Sequence, residues 1–406
     1  HHLYPLPLCR AFFSLAISMA LAPVLLLSLV LHAFIGWRVA PDLATVNMAL
    51  GTSLWVALLI SALLVPLGLL ARIVAKPPLS EWLTWLGLLC MGLFSSLLVF
   101  TVLRELLLAL AWLVDAASPG SVSLAHLHTE TALALPILAL LATALGFWNA
   151  RRTAAVVQVD VPIANLPETL QGFTVAQISD IHVGPTIKTR YVQRIVDRVN
   201  GLQANMVAIT GDLVDGSVNE LGHHIQPLSQ LSSTHGTFFV TGNHEYYSGA
   251  HSWITALRSL GVRVLMNEHV LIHHSTDTQD PEPAVVVVAG VADYNAHYFD
   301  KSHRSDPQKA LEGAPEHAVF KLLLAHQPRS AEAASQAGFD LQLSGHTHGG
   351  QFWPWNHFVR LQQPFTAGLH KLRDLWVYTS RGTGYWGPPK RFGAPSEITQ
   401  LRLVRA

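Results

Sequence analysis

Four long apolar runs in the first 150 residues constrain this chain more than any other feature. A bilayer core about 30 Å thick is crossed by a helix of about 20 apolar residues. The runs are Ala11–Trp37, Val46–Leu70, Trp82–Leu103 with an extension to Val114, and Thr131–Trp148. Because each run is apolar on all helix faces, a buried helical domain of a soluble protein is disfavoured. The sequence therefore predicts about four transmembrane helices over residues 1–150, and an integral protein of a bacterial-type inner or plasma membrane.

The first run has one alternative interpretation, as a signal peptide, but it is too long for an ordinary signal and lacks a small-x-small cleavage site. Lysine and arginine in short loops set the orientation of membrane helices. One side of the predicted region carries Arg10, Arg72, Lys76, Arg151 and Arg152, whereas the other carries Arg38 and Arg104. This difference predicts that the N-terminus and residues 151–406 lie in the cytoplasm. Arg104 and Glu105 are expected near a span end, where both reach the headgroups.

Residues 151–406 show the alternation of short strands and amphipathic helices that is typical of an α/β or α+β sandwich. The predicted strands are Val156–Val161, Phe173–Ser179, Met206–Thr210, Phe238–Thr241, Val285–Ala289, Lys321–Ala325, Leu341–Ser344, Leu375–Thr379 and Ile398–Val404. The predicted helices are Thr189–Asn200, Trp253–Leu260 and Ser330–Ala337. The polar segment His273–Pro283 is predicted to be a surface loop.

Composition excludes some classes of function and favours a metal site. The formal net charge is +0, so no nucleic-acid partner is expected. The 2 cysteines, Cys9 and Cys90, fall in or beside the apolar runs, which excludes a disulfide framework and a cysteine-based zinc site. The 22 histidines are numerous and mostly follow residue 220, and histidine is the commonest metal ligand.

Five polar clusters each follow a predicted strand directly, and such strand ends are where ligands collect in α/β folds. The clusters contain Asp180 and His182, then Asp212 and Asp215, then Asn243, His244 and Glu245, then His326, and finally His346 and His348. All five are expected at one sheet edge. Their mixed nitrogen and oxygen donors favour Mn²⁺, Fe or Zn²⁺ over Mg²⁺ and Ca²⁺, which prefer oxygen alone.

As a set, these motifs resemble the calcineurin-like metallophosphoesterase family. The resemblance covers about residues 155–406, and details such as Gly345–Gln351 and Ser380–Gly384 resemble its membrane-associated YkuE/YaeI-like branch. It implies a four-layered α/β/β/α sandwich with two divalent metal ions. The chain is thus predicted to have two parts, a transmembrane helical region at 1–150 and a metallophosphoesterase domain at 151–406.

The resemblance also implies a role for each site residue. Asp180, His182, Asp212 and His348 resemble the ligands of the first metal, and Asp212, Asn243, His326 and His346 resemble those of the second. His244 resembles the general acid, and Asp215 is expected to orient it. Two metal ions would provide the hydroxide that attacks phosphorus and would stabilise the developing charge.

The resulting hypothesis is a membrane-anchored, metal-dependent phosphoesterase that cleaves a phosphoester or pyrophosphate bond. The membrane region suggests the lipid bilayer as partner and a phosphorylated small molecule or lipid as substrate. Two alternatives remain, a phospho-ligand sensor or scaffold with little turnover and a transporter-coupled hydrolase. The segments Phe352–Arg360 and Arg381–Arg391, with their aromatic and basic residues, either contact substrate or serve only to pack loops.

Overall fold

The computed structural model describes residues 7–275 and 283–406, with side chains from residue 22 onward. Cys9 and the central part of the predicted loop His273–Pro283 therefore lie outside the described side chains. Contacts divide the chain into two compact units. One contains residues 1–145 with 387–389, and the other contains 146–386 with 390–406.

The N-terminal unit contains four helices that are long and apolar enough to cross a membrane. These are α1 (Pro7–Val46), α2 (Met48–Leu69), α4 (Leu79–Ala117) and α5 (Leu124–Arg151), with a short helix α3 (Ala71–Val74) after α2. Large apolar side chains remain exposed on all four, as is expected of helices that face lipid. The prediction of four apolar helices is confirmed, although α1 and α5 run well beyond the predicted spans.

Arg104 lies inside α4, because the helix continues to Ala117. Its side chain is buried. Its guanidinium forms an ion pair with Asp42 of α1, donates to the hydroxyl of Thr131 at 2.9 Å, and pairs with Glu105 at 3.1 Å. Arg38 forms a further ion pair with Glu105. Burial of these charges is tolerated because each is paired within the helix bundle. The charges thus link α1, α4 and α5.

The second unit is built on two six-stranded mixed sheets. The first has the order β1-β12-β2-β3-β4-β5, and the second has the order β10-β11-β9-β8-β7-β6. The strands of the first sheet are β1 (Ala155–Ile163), β2 (Thr174–Ile178), β3 (Met206–Ile209), β4 (Thr237–Phe239), β5 (Arg263–Val264) and β12 (Glu397–Arg405). The strands of the second are β6 (Glu268–His274), β7 (Ala284–Gly290), β8 (Phe320–Leu324), β9 (Leu341–Ser344), β10 (Gly368–Leu372) and β11 (Leu375–Thr379).

The neighbours β2-β3-β4-β5 run parallel in the first sheet, and β11-β9-β8-β7 run parallel in the second. Parallel strands need both faces covered, so their sequences are mostly apolar. The covering helices are α6 (Thr189–Asn200), α7 (Val218–Leu221), α8 (Asn243–Ser248), α9 (Ala250–Ser259), α10 (Pro307–Ala310) and α11 (Ala331–Ala337).

Three apolar layers separate these helices and sheets. Alternate residues of β2 show the arrangement, since Val175 packs between the two sheets while Ala176 and Ile178 pack with α6. A third layer lies on the outer face of the second sheet, where Leu323 packs near α11. Two sheets between two helical layers form the four-layered α/β/β/α arrangement that the resemblance implied.

Several predicted elements match the observed bounds, including α6, β9 and β11. The predicted loop His273–Pro283 is wrong at its start, because His273 and His274 belong to β6 and pair with Val285 and Ala284 of β7. Cross-strand pairing outweighs the polarity of these two side chains. The strands β5, β6 and β10 are not among the predicted strands, since none has a continuous apolar run longer than three residues.

Candidate metal centre

All five polar clusters follow strands, but they come from two sheets. Those at Asp180, Asp212 and Asn243 follow β2, β3 and β4 of the first sheet. Those at His326 and His346 follow β8 and β9 of the second. The expectation of a single sheet edge therefore requires correction. The two sheets face each other, so the ends of these five parallel strands meet at one edge of the sandwich.

The structure brings six of the seven predicted ligands together. Their potential ligand atoms group as Asp180, His182 and His348, and as Asp212, His326 and His346, each set within 4.8 Å. Nε2 of His182 lies 3.0 Å from Nε2 of His348 and 3.9 Å from Oδ2 of Asp212. Nε2 of His326 lies 3.1 Å from Oδ2 of Asp212 and 3.2 Å from Nδ1 of His346. Asp212 thus stands between the two groups.

Asn243, the remaining ligand candidate, presents a buried side-chain carbonyl oxygen. Within the described part of the chain, Oδ1 of Asn243 has no hydrogen-bond partner. A buried polar atom without a partner is costly unless it serves a purpose, and metal coordination is such a purpose. The donor set of this chain therefore fits two divalent metal ions.

The backbone at this edge is held in an unusual conformation. Five of the seven predicted ligands adopt positive φ, namely Asp180 (53°), His182 (56°), Asp212 (50°), His346 (69°) and His348 (52°). Positive φ is uncommon for residues other than glycine, and such strain collects at functional sites. This left-handed backbone conformation directs the polar side chains of each loop toward the same region of the site.

Glycines allow two of these loops to approach each other. A Cβ atom on Gly345 would lie 2.0 Å from Oγ of Ser179 and 2.2 Å from Oδ2 of Asp180. A Cβ atom on Gly242 would lie 2.1 Å from Oδ1 of Asp212. Any side chain at these two positions would displace a predicted ligand.

The two buried carboxylates carry an electrostatic cost that nearby positive charge relieves. Burial raises the pKa of Asp180, and the charge of Asp212 acts in the same direction. Burial also acts to raise the pKa of Asp212, but the charges of His326, His244 and His182 outweigh it and hold that pKa well below its usual range. Two carboxylates buried this closely are characteristic of a site that takes cations.

His244 and Asp215 stand beside this group of ligands. Nδ1 of His244 lies 2.6 Å from Oδ1 of Asp215, and the backbone N–H of His244 donates to Oδ1 of Asp212 at 2.9 Å. Burial lowers the pKa of His244, but the bond to Asp215 and the charges of both aspartates outweigh it and raise the pKa to about 9. The same Asp215 oxygen lies 3.0 Å from Nδ1 of His182. Asp215 therefore contacts a predicted ligand as well as the predicted acid.

Three further residues belong to the site. No role was predicted from the sequence for Glu245 or Asp293, and Arg391 lies in the segment for which substrate contact and loop packing were the alternatives. Glu245 is fully buried and accepts backbone N–H groups of Gly242 at 2.6 Å, Asp212 at 3.0 Å and Leu213 at 2.7 Å. Its pKa is raised to about 7 by burial and by the charge of Asp212. Glu245 thus fixes the loop after β3 against the start of α8. Its position three residues after Gly242, at the start of a helix, is a helix-capping signal.

Asp293 and Arg391 are the other two. Asp293 follows β7 and is buried, with Nε2 of Gln327 donating to its carboxylate at 3.0 Å and 3.3 Å. Arg391 is fully buried and donates to the carbonyls of Gly384 and Arg381, and its Nη2 lies 3.0 Å from Nδ1 of His348. Arg391 therefore packs and orients the loop, and it is not available for substrate. Asp293 had a usable signal, since polar residues follow β7 as they follow the other strands.

We predict that Glu245→Gln destabilises the centre. The substituted amide keeps only one acceptor oxygen where the structure supplies three donors, and an unsatisfied buried group costs about 1–3 kcal/mol. Thermal unfolding of the detergent-solubilised protein should show a lower midpoint and a lower bound-metal content than wild type. Glu316→Gln, on an exposed residue, is the control and should change neither. Wild-type stability and metal content in Glu245→Gln would contradict this role.

Comparison with known proteins agrees with this geometry. Residues 173–350 match the model of the family described as calcineurin-like phosphoesterase. A Danio rerio protein named "Transmembrane protein with metallophosphoesterase domain" is 37% identical over 332 residues, which cover 80% of this chain and 75% of that protein. Its Bos taurus namesake is 39% identical over 327 residues, covering 78% and 73%.

Each of these two matches is longer than the sequence from Gly146 to Ala406, so the similarity extends into the apolar helices. The chain is also 26% identical over 248 residues to the Bacillus subtilis (strain 168) protein named "Uncharacterized metallophosphoesterase YkuE", covering 59% of this chain and 81% of that one. The resemblance deduced from the motifs is thereby confirmed, and this chain belongs to the calcineurin-like phosphoesterase family of metal-dependent phosphoesterases.

Proposed function

We propose that this phosphoesterase is anchored in a membrane by its four apolar helices and hydrolyses an amphiphilic, lipid-linked phosphoester or pyrophosphate. The observation that carries the proposal is the convergence of six candidate metal-ligand side chains beside His244, with exposed aromatic rings near the same histidine. The basic residues flanking the helices favour a cytoplasmic catalytic domain in a bacterial-type membrane.

The first metal ion would be held by Asp180, His182, Asp212 and His348. The second would be held by Asp212, Asn243, His326 and His346, so Asp212 would be shared. When bound, such a pair lowers the pKa of water and stabilises the charge of the phosphate oxygens. The mixed nitrogen and oxygen donors favour Mn²⁺, Fe or Zn²⁺.

His244 is proposed to protonate the leaving oxygen. Its pKa of about 9 keeps a proton on the ring at neutral pH, which is the state a general acid requires. Asp215 orients the ring through Nδ1, leaving Nε2 to face the centre, 4.0 Å from Oδ2 of Asp212. The ring of His244 remains partly exposed, as a general acid that must reach substrate requires. A histidine with a purely structural role would have no need of this exposure.

Three aromatic residues near His244, namely Tyr247, Trp386 and Phe299, are here called the aromatic rim. The ring of Tyr247 lies 5.2 Å from that of His244, the ring of Trp386 lies 5.9 Å away, and Phe299 contacts Tyr247 at 5.6 Å. Their exposures are 63% for Tyr247, 53% for Trp386 and 54% for Phe299. A contiguous exposed apolar surface beside a catalytic site indicates an apolar part of the ligand. The rim therefore supports an amphiphilic substrate over a small, fully polar one.

A phospho-ligand sensor with little turnover is the competing function. The seven donors, the acid His244 and its partner Asp215 together form what hydrolysis needs, whereas phosphate binding alone needs fewer groups. This difference favours an enzyme.

The enzyme hypothesis is tested by Asp212→Ala. Purified protein with added Mn²⁺ should hydrolyse bis-p-nitrophenyl phosphate, and the substitution should lower kcat by about a thousandfold or more, since losing several kcal/mol of charge stabilisation costs about tenfold per 1.36 kcal/mol. His297→Ala, on a histidine outside the centre, should retain wild-type turnover. Metal-dependent turnover that is no higher in wild type than in Asp212→Ala would leave the sensor as the function.

The role of His244 is tested by varying the leaving group. His244→Asn should lower kcat by about 10²- to 10⁴-fold for alkyl phosphoesters, whose leaving oxygen needs a proton. The loss should be clearly smaller for p-nitrophenyl esters, whose leaving group departs as a stable anion. Equal losses on both substrates would show that His244 does not act as the acid.

The aromatic rim is tested by Trp386→Ala. We expect a raised KM for a phosphorylated lipid presented in detergent micelles and an unchanged KM for bis-p-nitrophenyl phosphate, because only the lipid has an apolar part to bind. Tyr294→Ala, on a partly exposed ring outside the rim, is the control. A parallel rise of both KM values would reject the rim as a lipid contact.

A further inference from the structure

A second cluster of metal-ligand side chains lies outside the dinuclear centre. It consists of His251 on α9, Asp300 directly before the turn Lys301–His303, and His303 at the end of that turn. One ligand atom of each lies within 4.8 Å of the others. Nε2 of His251 lies 3.0 Å from Oδ2 of Asp300, and Nε2 of His303 lies 3.9 Å from the same oxygen. Two imidazole nitrogens therefore converge on one carboxylate oxygen.

These separations are close to what one metal ion requires. Tetrahedral Zn²⁺ with ligand bonds of about 2.0–2.1 Å places its ligand atoms about 3.3 Å apart. The observed 3.0 Å and 3.9 Å lie on either side of that value. Small rotations of the side chains would bring all three atoms to bonding distance.

The opposite atoms of Asp300 and His303 are already held by other groups. Nδ1 of His303 lies 2.9 Å from the hydroxyl of Tyr246. Oδ1 of Asp300 accepts the backbone N–H of Ser302 at 2.9 Å and its hydroxyl at 2.6 Å. In metal sites the second nitrogen of a histidine ligand and the second oxygen of a carboxylate ligand are held in this way, which fixes the tautomer and the aim of the coordinating atom.

The surroundings also suit a metal site. The side chains of Asp300 and His303 are 29% and 16% exposed, whereas that of His251 is 73% exposed. Asp300 and His303 are thus held in place, and His251 would coordinate the ion from the solvent side. The fourth coordination position of the ion would remain open to solvent. Two imidazoles and one carboxylate are a donor set typical of Zn²⁺.

We propose that His251, Asp300 and His303 form a third metal site, of the zinc type, separate from the dinuclear centre. A bound ion would join α9 to the turn Lys301–His303. Through Tyr246 it would also join that turn to α8, which carries Asn243 and His244. Because Phe299 of the aromatic rim directly precedes Asp300, a bound ion would also stabilise the position of Phe299.

The proposal is tested by Zn²⁺ binding to the full-length protein in detergent, purified without a polyhistidine tag. Competition with a chromophoric zinc indicator should show that His251→Ala and His303→Ala each bind about one equivalent fewer than wild type. Tyr246→Phe should retain that equivalent with about 10- to 100-fold lower affinity, as is usual when the partner of a histidine ligand is removed. His297→Ala is the matched control and should bind as wild type does.

The same titration in an Asp212→Ala background separates the third site from the dinuclear centre. There His251→Ala should still remove about one equivalent. Because His251 is exposed, its substitution leaves the fold intact, and circular dichroism checks this. Equal zinc stoichiometry and affinity in wild type, His251→Ala and His303→Ala would overturn the proposal.

Discussion

The burial of two carboxylates, Asp180 and Asp212, at the edge of the sandwich is the constraint on which the rest of the catalytic unit depends. Both are at most 2% exposed. Isolated ionised carboxylates are costly to bury, so the protein surrounds them with imidazoles and backbone N–H donors. His346 donates its backbone N–H to Asp180, and His244 donates its own to Asp212. Bound metal ions would complete the compensation that these neutral and partly charged groups begin.

This constraint explains the backbone around the site. Side chains from five strand ends reach one point only if the loops turn sharply, and left-handed backbone at Asp180, His182, Asp212, His346 and His348 provides the turns. The strain persists because the parallel strands β2, β3, β8 and β9 that precede these loops are largely buried in the two sheets. Glu245 and Arg391 hold the loops from outside, one through three N–H groups and the other through carbonyls. Fold and chemistry are thus connected by the strand ends.

Much of this could be predicted from the sequence. The apolar helices could be located because a membrane span needs a long run that is apolar on every face. The candidate ligands could be named because several specific motifs occur together, each directly after an apolar strand. The match of α6 and β9 to their predicted bounds reflects the same strong periodicity.

Other features depend on contacts between distant residues and leave little trace in local sequence. The pairing of His273 and His274 in β6 comes from β7 and overrides their polarity. The division of the five clusters between two sheets follows from strand order, which periodicity does not encode. Arg391 gave no local sign that it is buried, because its partners are mostly backbone carbonyls of one folded loop. The cluster at His251, Asp300 and His303 spans 52 positions and matches no local motif.

Electron paramagnetic resonance of the Mn²⁺-loaded protein tests the central claim, that seven side chains hold two metal ions as one centre, most directly. Two Mn²⁺ ions that share Asp212 would lie about 3.5–4 Å apart, close enough for their spins to couple. The account predicts an exchange-coupled signal in wild type and its replacement by isolated Mn²⁺ signals when a ligand such as Asn243 or His346 is substituted. A wild-type spectrum containing isolated Mn²⁺ alone would contradict it.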